Sequence, residues 1–345
     1  MTTIPVNVSR KYDVLIEKGL LHHIGEKIKK TEKVAIITDT NVEKLYIDVV
    51  KSSLNNAGFN TISYAFKAGE ASKNGNTYLT LLSWLAENKL TRSDIIIALG
   101  GGVVGDMAGF VAATYLRGTP FVQVPTTLLA MVDSSVGGKT AIDINEGKNL
   151  VGAFNQPALV VCDPNVLKTL SEETFHDGLA EVIKHGMIRS ATLLDKLTKP
   201  HNIEEIIAEN IIIKRDIVQN DEFDTGERML LNFGHTIGHA IEKLSHYKIP
   251  HGNAVAIGMT IITRAAVDKN ECPPECLKIL TQLLQKYNLP TKTEYKPNAI
   301  FEAALTDKKR MGEMITEVIP TAIGNCKLKK MPVDELLSWI EIGAI

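Results

Sequence analysis

Cysteine is scarce in this 345-residue sequence. Four thiols (Cys162, Cys272, Cys276 and Cys326) are too few for a disulfide framework in a chain of this length. The five-residue span Cys272–Cys276 has the wrong spacing for a redox CxxC and reads as the opening of a helix. No apolar run approaches the roughly 18 residues that span a bilayer, and Met1–Pro5 lacks the apolar region of a signal peptide. Neither sign of charge is in excess: 38 Lys and Arg stand against 40 Asp and Glu, for a net charge of -2. Overall electrostatics therefore give no reason to expect nucleic acid or an anionic membrane as partner, and any basic cluster should be local and serve a small anion. There is no internal repeat and no low-complexity tract. These absences predict a reduced, cytoplasmic protein.

What is present is ordinary globular composition, 44% hydrophobic and 23% charged, in a chain long enough for two domains. Short apolar runs at Lys33–Thr38, Thr61–Phe66, Asp94–Leu99, Phe121–Val124 and Leu159–Cys162 alternate with helical stretches. Strands alternating with helices predict a parallel sheet covered on both faces, with ligands at the strand carboxyl ends. Earlier strands are expected around Val6–Ser9 and Asp13–Glu17, then a helix from about Leu20 to Lys30. From Ser171, a plausible N-cap ahead of Glu172 and Glu173, long helices take over. They are expected near 172–188, 203–221, 229–245, 253–269, 274–287 and 333–341, with a small hairpin across Ile315–Leu328. The fold class is an α/β Rossmann-like parallel-sheet domain over 1–167, followed by a mainly α-helical domain over 168–345.

Gly100, Gly102 and Gly105 form G-x-G-x-x-G between the clearest strand and an alanine-rich helix, the context a dinucleotide fingerprint requires. Without Cβ atoms the backbone can approach a pyrophosphate at the helix N-terminus, although a tight strand-to-helix turn alone would also use glycine. No Asp or Glu lies between Asp106 and Asp133, so the usual ribose-binding acid about 20 residues on is missing. Asp39, ending an earlier strand, could take that role if the two strand ends lie side by side.

Arg228, Asn232, His235 and His239 recur at spacings of four, three and four, which would put them on one helix face. Two imidazoles one turn apart can hold one divalent ion or serve one reacting centre. Glu181, on a predicted helix with Lys184, could add a carboxylate to His235 and His251, a His₂Glu set with open positions for substrate oxygens. Lys139, Lys148, Lys184, Lys214, Arg228 and Asp307–Lys309 collect near these motifs, fitting a small substrate with more than one negative charge. His22, His23, His176, His185 and His246 have no such company and read as structural or solvated. Gly234 and Gly238 each cost a helix on the order of 1 kcal/mol against Ala, which points to close packing.

Motifs from one end to the other resemble the 3-dehydroquinate synthase family of sugar phosphate cyclases. They comprise Gly69–Lys73, Gly100–Asp106, Tyr115–Gly118, Pro125–Thr127, Asp133–Lys139, Gly147–Asn149, Ala180–Gly186, Leu231–His235, Gly238–His239, His251–Gly252 and Asp307–Lys309. The resemblance implies a fold distantly shared with iron-containing alcohol dehydrogenases. It implies Zn²⁺ or Co²⁺ bound by Glu181, His235 and His251. It implies NAD contacts from Asp39, Glu70, Lys73, Gly102, Val103, Val104, Asp106, Thr126, Thr127, Lys139 and Lys148. Substrate contacts are implied for Asp133, Lys139, Asn149, Lys184, Lys214, Arg228, Asn232, His239 and one of Lys308 or Lys309. Arg117 is expected to reach a neighbouring subunit's phosphate pocket in a homodimer. Asp224 stands where the family usually has Glu, four residues before its Arg.

The implied reaction turns 3-deoxy-D-arabino-heptulosonate 7-phosphate into 3-dehydroquinate and phosphate, in the shikimate pathway. It runs through transient oxidation by NAD, phosphate elimination, re-reduction, ring opening and aldol closure, with His239 or the phosphate itself as base. Three other readings compete: a cyclase acting on a carboxylate-free sugar phosphate, a metal-dependent polyol dehydrogenase of the same fold, and a non-catalytic nucleotide-binding protein. Arg228 and Lys214 argue against the first, because without a substrate carboxylate a buried arginine would be left unpaired.

Overall fold

The computed structural model describes residues 1–308 and 313–344. The chain divides into two compact units, Met1–Leu170 with Lys214–Glu222, and Ser171–Ile213 with Phe223–Ile345.

The first unit is built on strands β1 (Thr2–Val6), β2 (Tyr12–Ile16), β3 (Lys33–Asp39), β4 (Asn60–Phe66), β5 (Ile95–Gly100) and β6 (Phe121–Pro125). A two-stranded hairpin follows, β7 (Lys139–Ile144) and β8 (Gly147–Phe154), and then β9 (Leu159–Cys162). Seven of these form one sheet in the order β1-β2-β9-β6-β5-β3-β4, parallel except for the β1–β2 pair at its edge. Its helices are α1 (Ile24–Lys27), α2 (Glu43–Asn56), α3 (Gly75–Glu87) and α4 (Gly102–Thr114). Ala35, Ile37, Ile96 and Ala98 pack with Leu81 and Leu85 of α3 and Val104, Met107 and Val111 of α4. Side chains alternate across a strand, so Val34, Ile36, Ile97 and Leu99, also buried, fill the opposite face. This is why these strands read as continuous apolar runs.

The second unit holds α5 (Glu172–Arg189), α6 (Ala191–Leu197), the first part of α7 (Ile203–Asn220), α8 (His235–Leu244), α9 (His251–Asp268) and α10 (Pro274–Lys286). It continues through α11 (Pro297–Lys308), the antiparallel hairpin β10 (Met314–Ala322) and β11 (Asn325–Pro332), and α12 (Val333–Gly343). Ser171 caps α5 as its sequence suggests, its Oγ accepting the Thr174 N–H at 3.1 Å. α9 is buried on nearly every face, which marks it as the centre of this unit.

Several local expectations are corrected. The helix expected over 229–245 is broken: Glu227–Asn232 is a 3₁₀ turn, Phe233 is non-helical, and Gly234 takes φ 78 before α8 begins at His235. A Cβ at Gly234 would lie 2.6 Å from the Met259 backbone nitrogen, so packing against α9 as well as conformation demands glycine here. The β7–β8 hairpin and α11 lie where no regular element was expected, and Leu20–Lys30 is a 3₁₀ turn plus the single turn of α1. The first strand is Thr2–Val6, not Val6–Ser9. The end of α7 returns to the first unit: the Asn7 N–H donates to Gln219 Oε1 at 2.7 Å and the Ser9 N–H to Glu222 Oε2 at 2.8 Å.

Candidate active site

In the first unit, β3 pairs with β5 so that Thr38 faces Leu99, which sets Asp39 beside the glycine loop at adjacent strand ends. This is the neighbourhood the missing ribose acid requires. Asp39 Oδ1 accepts the N–H groups of Asn41 and Val42 at 2.8 and 3.0 Å, fixing the carboxylate at the turn. No described side chain caps α4 and its first turn holds no acid, so the amides of Gly102, Val103 and Val104 form an N-terminus suited to an anion. Part of the glycine signal is packing, since a Cβ at Gly105 would stand 2.8 Å from Gln123 Oε1. Thr126 is buried, its N–H donating to the Gly100 carbonyl at 3.0 Å, and the Thr127 side chain lies under Gly101.

Lys73, 4% exposed, donates to Asp106 Oδ2 and to Asn149 Oδ1, both at 2.5 Å. Burial pulls its ammonium down, but Asp106, Glu70 and Asp143 outweigh this and hold its pKa above the ordinary lysine value. Burial raises Asp106, partly offset by Lys73. Lys148 pairs with Glu70 at 3.3 Å. Lys214, from the returning end of α7, donates to the Asp133 carbonyl at 2.6 Å and to its carboxylate. Lys139 begins β7 and is exposed, as is Arg117, which follows Leu116 through two left-handed residues (φ 50 and 64).

In the second unit, three elements converge on Glu181, which α5 carries at 1% exposure. His235 Nε2 and His251 Nε2, from the starts of α8 and α9, lie 3.6 and 3.4 Å from Glu181 Oε1. Donor atoms bonded at ~2.0–2.2 Å to one tetrahedral ion would be about 3.4 Å apart, so the spacing fits a divalent metal. The other nitrogens are engaged: His235 Nδ1 lies 3.2 Å from the Phe233 carbonyl and His251 Nδ1 3.2 Å from Glu242 Oε2. Outer partners of this kind aim Nε2 inward and fix the tautomer. Lys184, also 1% exposed, pairs with Glu181 Oε2.

Burial pushes His235 down to about 3, helped by Lys184 and the neighbouring imidazoles against the pull of Glu181. Burial also acts to lower His251, but bonds to Glu181 and Glu242 outweigh it and raise the ring to about 10. The same carboxylate thus leaves the two imidazoles shifted in opposite directions.

His239 follows His235 by one turn, its ring centroid 5.4 Å from that of His235 and 6.0 Å from that of His251. It is exposed and lines, with Asn232, His235 and Thr236, a cavity of about 1260 Å³. Asp224 lines the same cavity. Arg228 does not share a helix face with the histidines, because Gly234 intervenes; it is 2% exposed in the preceding 3₁₀ turn. Lys308 ends α11, and its side chain, like Lys309, lies outside the described residues. His185 is fully buried, its Nδ1 2.9 Å from Asn210 Oδ1.

Two carboxylates escaped the sequence reading. Glu242 is two turns beyond His235 on the same face of α8, a spacing that could have drawn notice but is shared by many solvated glutamates. Asp177 lies one turn before Glu181, and its Oδ1 accepts the Asn253 N–H at 3.1 Å, anchoring the first turn of α9 from which His251 projects. Nothing local in the sequence signals that long-range pair. Because Glu242 orients His251, Glu242→Gln should weaken binding of the expected ion about 10–100-fold in equilibrium dialysis against Zn²⁺. Unchanged affinity would remove Glu242 from this role.

Residues 63–177 match a family model described as 3-dehydroquinate synthase N-terminal, and residues 178–310 one described as 3-dehydroquinate synthase C-terminal. A 3-dehydroquinate synthase of Clostridium acetobutylicum is 43% identical over 99% of this chain and 100% of its own length. One from Streptococcus thermophilus is 45% identical over 98% of this chain and 99% of its own. Among solved structures, a 2-deoxy-scyllo-inosose synthase complexed with carbaglucose-6-phosphate, NAD⁺ and Co²⁺ superposes with TM-score 0.90 at 24% identity, over 99% of this chain and 100% of that one. A 2-epi-5-epi-valiolone synthase from Streptomyces hygroscopicus with NAD⁺ and Zn²⁺ bound gives 0.87 at 24% identity, over 99% and 98%. At that identity, these structures establish the fold alone.

Proposed function

The chain belongs to the 3-dehydroquinate synthase family, and from that premise we propose that it converts 3-deoxy-D-arabino-heptulosonate 7-phosphate to 3-dehydroquinate and phosphate. This would make it a phosphorus–oxygen lyase of the shikimate pathway. Beyond kinship, the observation that carries the reading is the Glu181–His235–His251 group, its carboxylate buried and both imidazoles half-buried, with His239 one turn away. We assign NAD to the first unit, at Asp39, Glu70, Lys73, the α4 N-terminus, Asp106, Thr126, Thr127, Lys139 and Lys148, and Zn²⁺ or Co²⁺ to Glu181, His235 and His251. When bound, NAD⁺ supplies reversible hydride acceptance at the C5 alcohol and the ion supplies Lewis-acid polarisation of the oxygen there.

The chain's own groups bind, orient and move protons. Arg228, held rigid by burial, suits a planar carboxylate that it can bind in two-pronged fashion. Lys184, Lys214, Asn232 and Asp133 add donors and acceptors for the substrate oxygens, while Lys139, Asn149 and Lys308 serve the phosphate. Asp224 orients Arg228 or a neighbouring lysine. His239, exposed in the cavity beside the metal group, is assigned to carrying the proton lost from C6, with the leaving phosphate as its competitor for that role. Arg117 is assigned to the phosphate pocket of the partner subunit in a homodimer. The four thiols, all free and buried, suit a reducing compartment such as the cytoplasm.

Supplied with NAD⁺ and Zn²⁺, the purified protein is expected to release phosphate from the heptulosonate phosphate without net accumulation of NADH, and a chelator should abolish this. Accumulating NADH would indicate a polyol dehydrogenase instead, and phosphate release from a carboxylate-free sugar phosphate alone would indicate a different cyclase.

A further inference from the structure

Asp143 belongs to neither the cofactor set nor the substrate set, yet it ties one to the other. It occupies the irregularity in the β7–β8 hairpin, where the register shifts between Ile142 and Ile144. Its Oδ1 accepts the Asn149 N–H at 2.9 Å, and its own N–H donates to the Lys73 carbonyl at 2.8 Å, next to the parallel bridge between Asn74 and Asp143. The ring is closed by Lys73, whose ammonium reaches both Asn149 Oδ1 and Asp106 Oδ2 at 2.5 Å. Asn149 sits at φ 56, a left-handed conformation that asparagine tolerates but that still needs support from its surroundings. The Asp143 carboxylate gives that support by holding the amide, and the backbone bond to Lys73 fastens the same residue to the loop that precedes α3.

We propose that Asp143 is a positioning residue that locks the hairpin carrying Asn149 to the loop carrying Lys73, so that the dinucleotide and the sugar phosphate each bind better when the other site is correctly set. This rests on the roles assigned above to Lys73, Asp106 and Asn149. One ammonium touches a cofactor-side carboxylate and a substrate-side amide, so freeing the hairpin disturbs both, and coupling between two binding sites is reciprocal. A residue that merely stabilised the hairpin would shift thermal stability and leave the two affinities alone.

The test compares wild type, D143A and D143N, with NAD⁺ affinity read by calorimetry without turnover, KM for the heptulosonate phosphate by phosphate release, and thermal midpoint as control. Loss of the acceptor that holds the Asn149 amide in its left-handed conformation should raise both the NAD⁺ Kd and the KM of D143A several-fold, up to about tenfold, whereas D143N, which keeps an oxygen at the same reach, should stay within about twofold of wild type. D143S, whose hydroxyl is too short to span the gap, replaces D143A if the latter is insoluble. The proposal fails if both constants stay put, if only one moves, or if D143N is as impaired as D143A. A wild-type protein that binds NAD⁺ but releases no phosphate would sink the assigned reaction instead, and the calorimetry would still judge the link from Asp143 to Lys73.

Discussion

His235→Ala protein is expected to be purified with most of its divalent metal missing and to release phosphate on the order of a thousandfold more slowly, since Lewis-acid polarisation is worth several kcal/mol. The fold should survive, because the buried Glu181 carboxylate keeps Lys184 and His251 as partners. Elemental analysis beside a phosphate-release assay reads both effects, and a full metal complement in this variant would strike His235 from the ligand set. The same assignment predicts a pH dependence in the wild type. His251 holds its proton up to about pH 10, and a protonated imidazole cannot ligate, so ion uptake must expel that proton. Affinity for Zn²⁺ should therefore rise with pH through the neutral range, by about tenfold per unit for one proton, and fall as pH drops.

The second large effect is expected at His239. His239→Ala should retain its metal and lose about 10²–10⁴ in kcat, the usual contribution of a positioned proton carrier. Its ring lies beside the ligand pair, and its exposure in the cavity leaves it open to substrate. Geometry offers a sharp alternative, because His239, Glu242 and His251 also bring three donor atoms within 4.8 Å of one another. If His239→Ala loses the ion, that second triad holds it and His235 is the residue facing the chemistry. If it keeps the ion and the rate, the proton leaves by another route, with the departing phosphate as the remaining candidate.

How far the sequence reached depended on whether a signal was local. β5 is legible because it is buried on both faces, and the helix after Ser171 because its cap and first-turn acids stand together. The separation of His235 from His239 by one turn survives in α8, but extension of that face back to Arg228 does not. Apolar periodicity continues across Phe233 and Gly234, whereas the break comes from how tightly α8 meets α9. The β7–β8 hairpin went unread for another reason. Its apolar residues, such as Ile142, Ile144, Leu150, Val151 and Phe154, are interspersed with glycine, lysine and asparagine, and those of β8 are largely exposed, so neither a regular alternation nor a buried apolar run marks it. Glu242 and Asp177 lie on helices correctly expected, yet their roles depend on His251 and Asn253, which only the tertiary fold brings to them. The ribose role of Asp39 requires that the two strand ends lie side by side, and the β3–β5 pairing meets that condition.

The return of α7 to the first unit has a consequence for the order of synthesis. Lys214–Glu222 supplies Gln219 to Asn7, and Glu222 to both Ser9 and Gln156. A nascent chain that has emerged only through Leu170 lacks these partners, although every strand of the sheet is already available. An N-terminal unit that finished before the next began would therefore do so without these bonds. On the ribosome these bonds must wait until more than forty further residues have been made, and a gene fragment cut at the first boundary should yield a destabilised product.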